Sequence, residues 1–159
     1  MNILDDKLFI KNTLLKIASD LNEKKIKWGL GGSLLLYLYG IDTSVNDIDI
    51  IIDEVDLIKV SQIIKKYDHI EKPKSVTYKS DWFFSLTFDN INIDIMIGFK
   101  VLTAKGVYSF PTGDKITDKS IIIDGTTIYL CSLKDWLEAY TAMERTNKIK
   151  LINQSKLVK

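Results

Sequence analysis

The chain carries a single cysteine, Cys131, which excludes an internal disulfide framework and a cysteine-built zinc site and accords with a reducing compartment. It also lacks an excess of charge of either sign. Its 22 basic residues nearly cancel 21 acidic ones, so no global field draws it to nucleic acid or to an anionic membrane, and a nucleic-acid partner would need a local basic patch. No apolar run approaches membrane-spanning length, so no membrane association is expected. The opening "MNILDDKLFIKN" has early acidic residues and no long apolar core, unlike a signal peptide. Internal repeats and low-complexity segments are missing as well. These absences lead us to expect a soluble, cytoplasmic protein. With 159 residues, 46% of them hydrophobic, it has enough apolar material for one core but not for two full domains.

What is present alternates between helical and extended periodicity. Ile10, Leu14, Ile17 and Leu21 recur at helical spacing, which predicts an amphipathic helix near residues 5 to 24. "IKWGL" reads as a short strand. Ser33 is placed to cap a short buried helix, "LLLYLYG", that stops at Gly40. "DIDIIID" is the next strand, and "VDLIKVSQIIKKY" returns to helical spacing with Val55, Ile58, Ile63 and Ile64 as its apolar face. "WFFSLTF" and "INIDIMI" flank Asp89 and Asn90, a pair suited to a tight hairpin turn, and Asp124-Gly125 marks a second hairpin. The stretch between these hairpins, "TAKGVYSFPTGDKITDK", has no clear period and reads as a surface loop or flap. Ser132 with Asp135 opens a last clear helix in a capping-box-like pattern, and the lysine-rich end beyond Asn147 either frays or continues as a short helix. We therefore expect residues 1–130 to form a core and residues 131–159 a helical segment packed on it.

Three aspartates stand out against this background. Side chains alternate across a strand, so Asp47 and Asp49 point to one face while Ile48 and Ile50 point to the other. In "INIDIMI" the isoleucines at 91, 93, 95 and 97 share one face, which leaves Asp94 on the opposite face with Asn92 and Met96. If the two strands are close, three carboxylates gather at one spot, and their repulsion calls for a hard divalent cation, magnesium first. Upstream, Gly31 and Gly32 allow backbone amides to approach an anion, and the amino end of the Ser33 helix adds partial positive charge. A metal cluster beside a phosphate seat implies phosphoryl or nucleotidyl transfer.

"GGS" at 31–33, thirteen further residues, then "DIDI" at 47–50, resembles the signature of the DNA polymerase β-type nucleotidyltransferases, and "IDIM" around Asp94 resembles their third-carboxylate strand. The likeness spans roughly residues 26 to 97. It implies an α/β nucleotidyltransferase core, with a mixed, partly antiparallel sheet flanked by helices and followed by a C-terminal helix. By the same resemblance Gly31, Gly32 and Ser33 would meet nucleotide phosphates, Asp47, Asp49 and Asp94 would be catalytic and hold Mg2+, two ions in all, and Asp94 would help activate an acceptor hydroxyl. The implied reaction moves a nucleoside monophosphate from an NTP such as ATP to that hydroxyl and releases pyrophosphate. The size resembles small bacterial members, the lincosamide and aminoglycoside nucleotidyltransferases and the minimal antitoxin-like enzymes. The acceptor is then a small molecule such as an antibiotic or a partner protein such as a toxin, a homodimer is possible, and an inactive nucleotide-binding module of the same fold is a further alternative. The chain departs from the pattern at "TSVND", which has no arginine or lysine where many relatives place one. Which residue meets the triphosphate instead is open; Arg145, the lone arginine, either reaches a phosphate or caps the last helix.

Competing readings are weaker. Gly29 and Gly31 match the start of a dinucleotide-binding turn, but Leu34 stands where the third glycine is required. His69 lies in a polar connector and reads as a surface residue, and Cys131 as a small buried apolar group. Among the aromatics, Trp82, Phe83 and Phe84 read chiefly as core with one ring available to stack on a base, while Tyr108 and Phe110 in the flap are candidates for acceptor contact. Asp42, Asp53 and Glu54 read as solvated element ends.

Overall fold

A computed structural model describes residues 3–158. A 3-10 turn leads into helix α1 (Leu8–Glu23), followed by strand β1 (Trp28–Gly31), helix α2 (Gly32–Leu38), strand β2 (Asp47–Ile52) and helix α3 (Leu57–Ile64). Strands β3 (Asp68–Glu71), β4 (Trp82–Phe88), β5 (Ile91–Ile97), β6 (Lys100–Thr103), β7 (Gly106–Ser109), β8 (Lys119–Ile123) and β9 (Thr126–Leu130) come next. Helices α4 (Leu133–Ala142) and α5 (Thr146–Ser155) close the chain. Seven strands form one sheet in the order β3-β4-β5-β2-β1-β9-β8, and β6-β7 is a separate hairpin. The β2–β5 and β1–β9 pairs are parallel and the other pairs of the large sheet are antiparallel, the mixed α/β arrangement that the sequence implies.

The isoleucines fix the register of the centre. Ile48 and Ile50 of β2 pair with Ile93 and Ile95 of β5, and all four are fully buried. A slip of one residue would carry Ile48 and Ile50 to the half-buried carboxylate face, forfeiting up to about 4 kcal/mol at about 2 kcal/mol per side chain, and would bury Asp47 and Asp49 in their place. The alternation therefore decides which face carries charge. Both expected hairpins form: Asp89 and Asn90 adopt φ of 50° and 63°, and Asp124 and Gly125 adopt 46° and 80°. Ser132 accepts a hydrogen bond from the Asp135 backbone N–H at 3.0 Å and caps α4.

Four local expectations need correction. Ser33 is not the cap of α2, because Gly31 occupies the N-cap position and Ser33 lies within the first turn. On α3 the buried face is Val60, Ile63 and Ile64, whereas Val55 and Ile58 are exposed, the former lying in a 3-10 turn that precedes the helix and breaks the period. The connector holding His69 contains edge strand β3, whose four residues are all exposed and so carry no buried alternation to read; His69 is exposed there as expected. The flap is partly a hairpin, β6 pairing with β7.

Candidate active site

The pairing that buries the isoleucines also assembles the carboxylates. Asp49 lies opposite Asp94 across the β2–β5 pair, and Asp47 precedes it by one full strand repeat. Oxygens of Asp47, Asp49 and Asp94 lie within 4.8 Å of one another, the one such group of potential ligands among the described residues. All three side chains are half-buried. Burial first, then repulsion from the neighbouring carboxylates, raises the Asp49 pKa to about 8. The same two causes, with Asp94 as the neighbour, raise that of Asp47. Three oxygen donors with no nitrogen or sulfur among them suit a hard divalent ion such as Mg2+.

Asp94 is held from one side. Its Oδ1 accepts from Asn92 Nδ2 at 2.7 Å and lies 3.0 Å from the Ser85 hydroxyl, which also lies 2.6 Å from Asn92 Oδ1. Asn92 is two residues away on the same strand face, and Ser85 is the direct partner of Asp94 on β4. Both hydrogen bonds fall on Oδ1, and the residue lines a cavity. Ser85 escapes a reading of the sequence because nothing near it marks it apart from the hairpin register.

The glycines of "GLGG" are bare because of what packs on them. A Cβ at Gly31 would fall on the Trp136 indole, and one at Gly29 would strike the Cys131 sulfur, so their bareness lets α4 sit directly on β1. Gly32 adopts φ +66°, and a Cβ there would collide with the Asp49 carboxylate. Neither Gly31 nor Gly32 lines the cavity, whereas Ser33 does.

That cavity, about 660 Å³, contains all three carboxylates together with Ser44, Asn46, Phe83, Arg145 and Lys148. A cation from the far end of the chain reaches the "TSVND" loop. Lys148, on α5, donates to the Thr43 hydroxyl at 2.9 Å and so reaches that same loop. Burial and the neighbouring Arg145 lower its pKa, against the pull of Asp47 and Asp49. Arg145 occupies the N-cap position of α5 but makes no side-chain cap; its side chain lines the cavity. The lysine-rich segment beyond Asn147 is thus a helix that brings positive charge to the site, a feature its weak periodicity concealed.

The flap aromatics do not reach the site. Phe110 is buried between Phe99 and Trp136, and the Tyr108 hydroxyl donates to the Asp135 carbonyl at 3.4 Å. Phe83 does line the cavity, while Trp82 and Phe84 stack on the opposite face of β4. Cys131 is buried, which pushes its thiol up to about 12 and removes it as a nucleophile. Asp53 is not merely solvated: it accepts from the Val55 and Gly113 backbone N–H groups. A second cavity, about 470 Å³, opens beside Trp28 and Tyr129, but Lys27 and Asp114 pair with each other there and no potential ligand group converges on it. No described helix is long and apolar enough to cross a membrane.

No family model and no curated protein matches the chain. Solved structures do. A Thermotoga maritima protein assigned to the nucleotidyltransferases is 24% identical, with 93% of this chain and 92% of that one covered and a TM-score of 0.73. The lincosamide antibiotic adenylyltransferase LnuA, in a lincomycin-bound crystal structure, is 15% identical over 96% of this chain and 98% of its own, with a TM-score of 0.56. The crystal structure of ANT(2'')-Ia in complex with adenylyl-2''-tobramycin is 10% identical over 93% and 88%, with a TM-score of 0.57. The chain has the nucleotidyltransferase fold, in agreement with its sequence resemblance.

Proposed function

We propose that the protein is a metal-dependent nucleotidyltransferase that moves a nucleoside monophosphate, AMP from ATP first among them, to an acceptor hydroxyl. The observation that carries this reading is the convergence of Asp47, Asp49 and Asp94 within 4.8 Å in a cavity that also receives Arg145 and Lys148. Asp47, Asp49 and Asp94 would hold Mg2+, which when bound neutralises phosphate oxygens and aligns the reacting groups. Ser33, Lys148 and Arg145 bind and orient the triphosphate, with residues 131–159 acting as an appendage that brings the two cations to the core of residues 1–130.

The acceptor oxygen attacks the α-phosphorus, the bond from that phosphorus to the bridging oxygen breaks, and pyrophosphate departs with the bonding electrons. The hydroxyl proton passes to the Asp94 carboxylate, which Asn92 and Ser85 hold through Oδ1. Positioning and charge neutralisation carry the rate, so no histidine is needed, in keeping with the exposure of His69.

The fold neighbours named for antibiotic substrates favour a small-molecule acceptor over a partner protein. Magnesium-dependent release of pyrophosphate from ATP tests the reading. Asp94→Asn is expected to slow turnover by about a hundredfold to a thousandfold while ATP affinity, measured by calorimetry, stays within about threefold. Full activity in that variant would remove Asp94 from the chemistry.

A further inference from the structure

We infer that the acceptor is a hydroxyl compound with a flat apolar face and an anionic group at its edge, and that polycations are excluded. The inference rests on the nucleotidyl-transfer reading and concerns the half of the cavity which that reading leaves unassigned. Strands cross the site in the order β4, β5, β2, β1, so the carboxylates of β2 and β5 lie between two flanks. The triphosphate occupies the flank of Ser33, Arg145 and Lys148. The attacking hydroxyl must then approach from beyond Asp94, over β4.

That flank has a definite chemistry. Phe83 and its strand partner Met96 offer an apolar floor, and Pro73 and Tyr78 form a wall beside it. Lys72 lies over this floor, its Nζ above the Phe83 ring at 4.9 Å from the centroid. Among the described residues, no acidic side chain other than Asp47, Asp49 and Asp94 lines the cavity. Asp81 lies nearby in sequence but is paired with Lys100 at 2.8 Å, and Glu71 shares the opposite sheet face with Phe84. An acceptor rich in ammonium groups would therefore find no carboxylate beyond the three that hold the metal and would face Lys72 on this flank. A flat ring can lie on Met96 beside Phe83 while a carboxylate or phosphate at its edge meets the Lys72 ammonium above Phe83, with its hydroxyl directed at Asp94.

Three matched probes separate these cases: 4-nitrophenyl β-D-glucuronide, the corresponding glucoside and the 2-amino-2-deoxyglucoside, which share the nitrophenyl ring and the 3- and 4-hydroxyls and differ in charge. Ligand-observed NMR titrations use the full chain with Mg2+ and a non-hydrolysable ATP analogue, whose own binding is measured first by calorimetry. The glucuronide is expected to bind about fivefold to tenfold tighter than the aminosugar, with the glucoside between them, since each exposed charge interaction is worth up to about fivefold. Lys72→Glu is expected to reverse the order of the charged pair. Equal affinities, a preference for the aminosugar, no detectable binding of any probe, or an order unchanged in Lys72→Glu would each overturn the inference while leaving nucleotidyl transfer intact. Failure of the ATP analogue to bind would instead overturn the nucleotidyl-transfer reading, and this inference with it.

Discussion

Asp49→Asn is expected to make the metal-free protein more stable at alkaline pH while abolishing its response to magnesium and nucleotide. The carboxyl group has an ordinary value near 3.8 and is raised to about 8 in the fold, by burial and then by Asp47 and Asp94. A group whose folded pKa lies above its unfolded value holds its proton more tightly when folded. Folding is therefore favoured in acid, and that advantage drains away as pH climbs from about 4 to about 8. The full interval between 3.8 and about 8 corresponds to at most about 6 kcal/mol. Asp49 retains partial contact with solvent, and screening reduces the effect to on the order of 2 kcal/mol. For a chain of this length that is a shift of about 4–8 °C in Tm. Thermal unfolding in EDTA from pH 5 to pH 9 provides the measurement. The wild type should lose stability across this range, and Asp49→Asn should follow a flatter curve that lies above it at pH 8.5. Adding Mg2+ and ATP should raise the Tm of the wild type alone. A flat wild-type curve, or a variant that melts below the wild type at pH 8.5 without metal, would refute the argument that repulsion and burial strain this cluster.

Lys148→Ala should weaken ATP binding about tenfold in calorimetry with little change in Tm, since it removes a charged phosphate partner and one part-buried hydrogen bond to Thr43. Gly32→Ala should cost at least about 1–2 kcal/mol in chemical denaturation, from its left-handed backbone, and should lose activity as well because its Cβ displaces the Asp49 carboxylate. Asn92→Ala should lower turnover about tenfold to a hundredfold in the pyrophosphate-release assay at unchanged ATP affinity, because it frees Asp94 Oδ1 to swing away from the acceptor.

The site is legible in the sequence to the extent that neighbours along the chain determine it. Asp47, Asp49 and Asp94 interrupt runs of isoleucine, and the period of a strand fixes their face before any pairing is known. The Asp89-Asn90 and Asp124-Gly125 turns likewise carry their own conformational requirement. Val55 and Ile58 mislead because a 3-10 turn precedes α3 and an eight-residue helix is too short to fix its own phase. Strand β3 is invisible because every residue in it is exposed, so no alternation marks it. Lys148, Ser85 and Phe83 are different in kind, since their roles arise from register and helix placement across the sheet. Gly29 and Gly31 join the two groups: they sit in the most recognisable stretch of the chain, yet what they accommodate is Cys131 and Trp136, about a hundred residues later. By admitting α4 against β1 they set the position of α5, and hence of Lys148 and Arg145. The carboxylates and the cations thus reach the cavity by separate routes, one through strand pairing and one through α4 docking. Under the proposed function, changes in the α4–α5 segment are expected to alter triphosphate affinity without moving Asp47, Asp49 and Asp94.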